Sequence, residues 1–348
     1  MKNTLKLVRP ELRNLKPYAA ECFEPGKIYL NANENPFPLS CAPKSNRYPE
    51  IRPQKLLAAL AIYYKVKPEN LVLTAGSDQA IDTIIRTFCT AGKDNILITK
   101  PSFSMYSVYA KVQNAAVNYV PLTDGKLDVK EVLKALKTFK PKVFFLPNPG
   151  APQGVLFKQA DILKIISAAK GKTMVVIDEA YLEFAKSPSY TKYLSKYPNL
   201  IVLRTLSKAF ALAGARIGVA IANKEISSVF NAVLPPYPLS CTTISSAFAL
   251  FSRPNNIKTA KSKIESIIKE RKTLEPKLKK LKFIKKVYPS KTNFFFIETE
   301  NDKKVFEILT KNNIIVRYFP QEGLRITVSS KTENAKLLKV LALINVNK

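Results

Sequence analysis

The sequence predicts an α/β protein, with a mostly parallel sheet in a large domain and a smaller α+β domain after it. Three observations carry this. From about residue 37 to about 240, short apolar runs alternate with amphipathic stretches, the rhythm of a parallel sheet with helices on both faces. The cluster Pro235-Pro236-Tyr237-Pro238 then breaks the rhythm. Beyond it come two long helical stretches and only two clear apolar runs. At 348 residues and 46% apolar, the chain exceeds one typical domain and can bury a sizeable core.

The elements follow in order. Residues 1–36 read as an arm broken at Arg9-Pro10 and Lys16-Pro17 and joining the smaller domain. Residues 37–240 form the large domain, with strands near 71–74, 95–99, 117–121, 142–146, 173–177, 200–204 and 217–222. Residues 241–348 form the small domain, with strands near 293–298 and 324–328. The stretch from Lys258 to Lys286 carries Ile264, Ile267, Ile268, Leu274, Leu278 and Leu281 among its lysines. That spacing predicts a helix with one lysine face and one packed face.

The chemistry concentrates at strand ends. Leu200-Ile201-Val202-Leu203 runs into Thr205-Leu206-Ser207-Lys208, with Arg216 in the same small-residue run. A lysine whose solvation is restricted can lose its proton and form a Schiff base with an aldehyde. The neighbouring hydroxyls and the arginine are groups that suit a phosphate. An aldehyde and a phosphate on one small molecule suggest pyridoxal 5'-phosphate; the plain alternative is a surface lysine after a core strand. Met174-Val175-Val176-Ile177 ends in Asp178-Glu179-Ala180-Tyr181. Asp178 could keep the pyridinium nitrogen protonated and make the ring an electron sink, or simply cap the next helix. Tyr181 could reach the ring's phenolic oxygen. Leu71-Val72-Leu73-Thr74 leads into Gly76-Ser77-Asp78, the start of a helix whose free N–H groups form an anion site. Ser77 and Asp78 are also expected to cap that helix.

Together these motifs resemble the histidinol-phosphate aminotransferase family, whose members have the fold-type I architecture and use pyridoxal phosphate. The resemblance runs from Leu7-Val8-Arg9-Pro10-Glu11 to Leu324-Arg325-Ile326-Thr327-Val328. Between them lie Asn31-Ala32-Asn33-Glu34-Asn35-Pro36, Arg47-Tyr48-Pro49-Glu50 and Pro101-Ser102-Phe103. The resemblance implies that Lys208 carries the cofactor and then moves protons as general base and acid. Asp178 pairs with the ring nitrogen, Tyr181 donates to the phenolic oxygen, and Phe103 covers the ring face. Ser77, Asp78 (through its backbone), Thr205, Ser207 and Arg216 surround the phosphate. Tyr48 reaches the phosphate of a neighbouring subunit, which implies a homodimer. Tyr18, Arg317 and Arg325 handle substrate anions. The implied reaction interconverts histidinol phosphate plus 2-oxoglutarate with imidazole-acetol phosphate plus glutamate. An aromatic amino-acid aminotransferase or a threonine-phosphate decarboxylase of the same fold is the nearest alternative, since fold alone does not separate them.

One loop departs from the pattern. Pro147-Asn148-Pro149-Gly150-Ala151-Pro152-Gln153-Gly154 places Ala151 where the family has an asparagine that bonds the phenolic oxygen. A lost bond of that kind costs about 1–3 kcal/mol if the oxygen is left dry. It also raises the pKa of the lysine–cofactor linkage. Asn148 or a water is the candidate substitute.

Composition bounds the rest. The chain contains no histidine, which excludes mechanisms that need an imidazole of its own. Cys22, Cys41, Cys89 and Cys241 show no paired spacing, so neither disulfides nor a zinc site is expected. No apolar run is long enough to span a membrane, and Met1-Lys2-Asn3-Thr4 leads into no signal-peptide core, so a cytoplasmic protein is expected. The net charge of +30 raises a rival reading, a basic polyanion-binding protein. Its lysines are spread along the chain and form no nucleic-acid module, so a solvated surface with only weak, salt-sensitive polyanion binding is expected.

Overall fold

The computed structural model describes residues 4–18, 26–41 and 45–344. Met1, Lys2, Asn3 and Cys22 lie outside the described residues. The chain builds a seven-stranded sheet, a four-stranded sheet and the helices that cover them. The large sheet comprises β1 (Leu71–Thr74), β2 (Asn95–Lys100), β3 (Ala116–Pro121), β4 (Val143–Pro147), β5 (Met174–Asp178), β6 (Leu200–Thr205) and β7 (Gly218–Ile221). Its spatial order is β1-β7-β6-β5-β4-β2-β3. Pairings from β3 through β6 are parallel, and β7 lies antiparallel to both β6 and β1.

Apart from the edge strand β3, the strands read as continuous apolar runs because both faces are buried. On one face, Phe144, Leu146, Val175, Ile177, Leu200 and Val202 pack under α1 (Gln54–Tyr64), α4 (Val129–Phe139) and α5 (Gln159–Ala168). On the other, Val143, Phe145, Val176, Ile201 and Leu203 pack under α2 (Gly76–Phe88), α3 (Met105–Val112) and α7 (Lys224–Val233). The alternation along each strand is the period of two that sends successive side chains to opposite faces. A short helix, α6 (Leu182–Ala185), follows β5.

Beyond Pro238 come α8 (Cys241–Phe251) and α9 (Pro254–Lys279), the two helical stretches that the sequence predicts. The smaller sheet has β8 (Ile284–Val287), β9 (Phe294–Thr299), β10 (Arg317–Phe319) and β11 (Gly323–Thr327), ordered β10-β11-β9-β8 and wholly antiparallel. The helices α10 (Asp302–Lys311) and α11 (Lys331–Ala342) complete it, and Ser330 and Glu333 form a capping box at the start of α11. Packing crosses the expected boundary at residue 240. Ala247 of α8 and Ala260, Ile264 and Ile268 of α9 join the large-domain core, while Leu274 and Leu278 of α9 join the small one. Arg271 sits at the change-over and donates to Thr292 O at 2.6 Å and Phe184 O at 3.4 Å.

The first turns of the arm correct an expectation. Leu7 and Val8 pack with Ile84, Ile85 and Phe88, and the Arg9 N–H bonds Thr87 O at 3.0 Å. Residues 5–12 therefore dock on α2 of the large domain rather than on the smaller one, because their apolar side chains complete that core. Among the described residues no helix is long and apolar enough to cross a membrane.

Candidate active site

Lys208 stands on the segment between β6 and β7. Because β7 returns antiparallel, this segment stays at the carboxyl ends of the strands, where open α/β sheets hold ligands. Backbone bonds fix it: Leu206 N–H reaches Ile217 O, and Leu212 N–H reaches Leu206 O, both at 3.1 Å. Lys208 opens into a cleft shared with Ser77, Asp78, Phe103, Asp178, Tyr181, Thr205, Ser207, Arg216 and Arg325. Side chains from separate runs of the sequence thus meet around one amine. The Lys208 Nζ lies 6.0 Å from the centre of the Tyr181 ring. Burial, and next the charge of Arg325, push the Lys208 pKa below the ordinary lysine value, with Arg216 adding to the effect.

Asp178 ends β5 almost fully buried. Its Oδ2 accepts from the Tyr106 hydroxyl at 2.7 Å, and its Oδ1 accepts from the Ala180 N–H at 3.0 Å. The capping alternative is thus partly realised, yet the carboxylate still faces the cleft. Burial raises its pKa, and the two hydrogen bonds only partly oppose the rise. No cation of this chain pairs with it among the described residues. A ligand cation would be favoured there. Burial likewise raises the Tyr181 pKa, so that hydroxyl remains a proton donor.

The phosphate end is a cradle. A Cβ on Gly218 would fall 2.4 Å from Gly76 C and Ser77 N, so only glycine lets β7 press against the start of α2. A Cβ on Gly76 would fall 2.5 Å from Arg216 Nη2, which places the guanidinium over the same turn. The capping role expected for Ser77 and Asp78 is not taken up. Ala75 occupies the N-cap position without a side-chain bond, and Asp78 faces Arg216 at 3.5 Å. The first-turn N–H groups of α2 and a half-exposed arginine therefore converge, a fitting anion site. Thr205 spends its hydroxyl locally, donating to Ile217 O at 3.4 Å and accepting from Ser207 N–H at 3.2 Å.

Of the other expected residues, Asn148, Tyr48, Tyr18 and Arg317 are not part of the cleft lining. Ala151 lines the cleft, and the Asn148 side chain is turned away, accepting from Phe157 N–H at 2.9 Å. Tyr48 lies outside this cleft, exposed, with its ring stacked on Tyr237 at 4.5 Å. Tyr18 is exposed and outside it as well. Arg317 is exposed on β10, where it pairs directly with Arg325 of β11 across the sheet. It forms no ion pair with Glu322, the partner a plain surface role would give it.

Sequence reasoning missed Tyr106. Its ring stacks on Phe145 at 4.8 Å and meets Phe103 edge-on at 5.5 Å, so from sequence it reads only as core. It also missed the rings around Arg325, whose guanidinium sits 5.3 Å from the centre of Phe294 and 5.9 Å from that of Phe319. A buried ion triad lies behind the cleft as well. Arg204 bonds Glu179 Oε2 at 2.6 Å and also Glu183, with its guanidinium over the Tyr64 ring at 5.2 Å.

Comparison with known proteins agrees with this geometry. Residues 25–342 match the family described as aminotransferase class I and II. The chain is 38% identical to histidinol-phosphate aminotransferase 1 of Haemophilus influenzae, over 96% of this chain and 94% of that protein. The crystal structure of the histidinol-phosphate aminotransferase from Clostridium acetobutylicum superposes with a TM-score of 0.77 at 26% identity, covering 85% of this chain and 90% of that one. The Sinorhizobium meliloti histidinol-phosphate aminotransferase, solved in complex with pyridoxal-5'-phosphate, shares the fold with a TM-score of 0.77 at 22% identity, over 86% and 84% of the two chains. The chain belongs to the class I and II aminotransferases, a pyridoxal-phosphate-dependent family.

Proposed function

We propose that this aminotransferase passes an amino group between glutamate and imidazole-acetol phosphate, giving 2-oxoglutarate and histidinol phosphate. The observation that carries the reading is the direct pairing of Arg317 and Arg325 across β10 and β11, with Arg325 facing the Lys208 cleft. Like charges opposite one another on a sheet are unfavourable alone, and a substrate anion beside them offsets the repulsion. Glutamate brings carboxylates and histidinol phosphate brings a phosphate. One planar guanidinium fork can grip either. The relatives named above carry this activity in their names.

When bound, pyridoxal phosphate supplies the electron sink for the negative charge left at a substrate carbon after proton loss. The chain's own groups do the rest. Lys208 holds the cofactor through Nζ, and its lowered pKa favours the neutral amine that takes up and returns a proton. Asp178 pairs with the ring nitrogen, Tyr181 donates to the phenolic oxygen, and Phe103 covers one face. Ser77, the Asp78 backbone, Ser207 and Arg216 hold the phosphate, and Thr205 stands beside it, fixing Ser207 through its hydroxyl. Tyr48, exposed and away from its own cleft, serves the site of a second copy in a homodimer, and Tyr18 takes part with Arg317 and Arg325 in binding the substrate anions. The cytoplasm is the compartment of this reading.

The test is a panel of amino donors and acceptors on the purified holoenzyme, each half-reaction followed separately. Histidinol phosphate is expected to outpace tyrosine, phenylalanine and threonine phosphate, with no carbon dioxide released. Faster turnover of an unphosphorylated aromatic amino acid would overturn the substrate and leave the aminotransferase. Arg317→Ala is expected to lower kcat/KM for histidinol phosphate by about 2–3 kcal/mol while sparing glutamate. Equal losses on both substrates would remove Arg317 from phosphate reading.

A further inference from the structure

Arg325 differs from the other arginines around the cleft in what holds it. Arg204 is fixed by two carboxylates, and Arg216 stands beside Asp78. Among the described residues no carboxylate or carbonyl bonds the Arg325 guanidinium; aromatic rings flank it instead. This matters for an anion site. A carboxylate holding the guanidinium would compete with the substrate for the same N–H donors. A ring face attracts the cation without taking those donors.

Phe294 is the better anchored of the two rings. It is buried, whereas Phe319 lies on a short edge strand. Its backbone is pinned on both sides: the N–H donates to Thr292 Oγ1 at 3.3 Å, and the carbonyl accepts from the hydroxyls of Ser290 and Thr292. On β9 it pairs with Thr327, which sets its ring diagonally from Arg325 on the neighbouring strand, within reach of a long side chain. The same ring meets Tyr181 at 5.1 Å and 86°, the T-shaped geometry that aromatic pairs favour. Tyr181 follows β5 of the large sheet and Phe294 belongs to the small one, so this contact joins the two halves of the site.

We propose that Phe294 is the positioning residue of the substrate-anion site: its ring fixes the Arg325 guanidinium with the N–H donors free and sets it relative to Tyr181. The proposal rests on the reading of Arg325 as the group that grips substrate anions. Phe294 therefore acts through Arg325 and touches no reacting atom. The ring's contribution belongs to binding of any anion at Arg325, carboxylate or phosphate alike.

The experiment uses the holoenzyme and two non-reacting probes, succinate and inorganic phosphate, each titrated by the change in cofactor absorbance. Phe294→Leu is expected to raise both dissociation constants by roughly five- to thirty-fold, the range a partly desolvated cation–π contact supports. KM for both amino donors should rise in parallel while kcat stays nearly unchanged. Phe294→Tyr, which keeps the ring, should bind both probes as the wild type does. Phe294→Met fills most of the same space without a ring face and carries the test should the leucine variant fold poorly. Arg325→Ala is the control for the underlying reading and should abolish probe binding. Wild-type affinities in the leucine and methionine variants beside a dead Arg325→Ala would overturn the positioning role and leave Arg325 as the anion residue. A fall in kcat at unchanged KM would overturn it too. Wild-type probe binding by Arg325→Ala would remove the underlying reading, and the proposal with it.

Discussion

Asp178 and Glu179 are consecutive buried carboxylates at the end of one strand, and their surroundings treat them in opposite ways. Glu179 points behind the cleft, where Arg204, the Ser189 hydroxyl and the Tyr190 N–H all donate to it. Asp178 points into the cleft with two neutral donors and no cation. The cations on β6 and just after it repeat the contrast. Burial alone would lower the Arg204 pKa, but Glu183 and Glu179 override it and hold the group charged. Lys208 is pushed down by burial with Arg325 adding to it. The pleat explains the split of the two carboxylates, since neighbouring residues along a strand face opposite sides, whereas Lys208 lies beyond the end of β6. On the core side, charge is compensated within the chain. On the cleft side Asp178 and Lys208 have no ion-pair partner among the described residues, and a ligand with a cationic ring nitrogen and an aldehyde would complete them.

The largest expected effect tests the cleft side. Lys208→Ala should lose roughly four orders of magnitude or more in turnover, because both the covalent hold and the proton carrier disappear. It should still bind cofactor, and borohydride should no longer fix any to the chain. Labelling of a different lysine in the wild type would contradict the assignment. Next comes the core side. Arg204→Met should destabilise the fold by about 3–5 kcal/mol, because Glu179 and Glu183 are left buried without their cation. Chemical denaturation at neutral pH measures this. A loss below about 1 kcal/mol, the size of an exposed pair, would erase the contrast.

Asp178→Asn sharpens it further. A folded-state pKa raised above the unfolded value means that the charge is a cost to the fold once pH exceeds the folded pKa. That cost is absent below the unfolded pKa. In the cofactor-free protein, Asp178→Asn should therefore be at least as stable as the wild type at pH 7 to 8. Its advantage should fade as pH falls through the wild-type folded pKa and on to the unfolded one. With cofactor the order should reverse in activity, because a neutral amide cannot keep the ring nitrogen protonated. A cofactor-free asparagine variant that melts well below the wild type at pH 8 would show Asp178 to be a structural carboxylate like Glu179.

How much of this was legible in the sequence follows from the same physics. The strands of the large sheet other than β3 were readable because burial on both faces leaves uninterrupted apolar runs; β3 is an edge strand with only Val120 buried. β8 and β10 were not. β8 is an edge strand with Lys285 and Lys286 in its middle and a register shift, and β10 is a three-residue edge that begins with arginine. Lysines and short lengths are how sheet edges are protected, and they hide a strand from pattern reading. Lys208, Asp178 and Tyr181 were legible because polar residues directly after apolar runs stand out. Tyr106 and Phe294 were not, since an aromatic residue within an apolar pattern reads as core whether or not it also holds a functional group. Tertiary proximity alone distinguishes the two cases, as it does for the docking of Leu7 and Val8 on α2.

The smallest expected effect isolates one hydrogen bond within the contrast. Tyr106→Phe keeps the stack on Phe145 and the edge contact with Phe103, and removes only the hydroxyl that donates to Asp178 Oδ2. One hydrogen bond to a charged group contributes about 1.5–3 kcal/mol, and less where another partner replaces it. The ring nitrogen of a bound cofactor is such a partner, so turnover at high pH should change little. The pH dependence should change more. The Tyr106 bond lowers a carboxyl pKa that burial has raised, so its removal lets that pKa climb further. The neutral carboxyl then persists to higher pH, and the acid limb of cofactor affinity should move upward in Tyr106→Phe. Titrating the cofactor dissociation constant against pH in both proteins measures the displacement. An acid limb at the same pH in the two proteins would mean that the hydroxyl only fills space beside Asp178, and that the cleft carboxylate is tuned by burial alone.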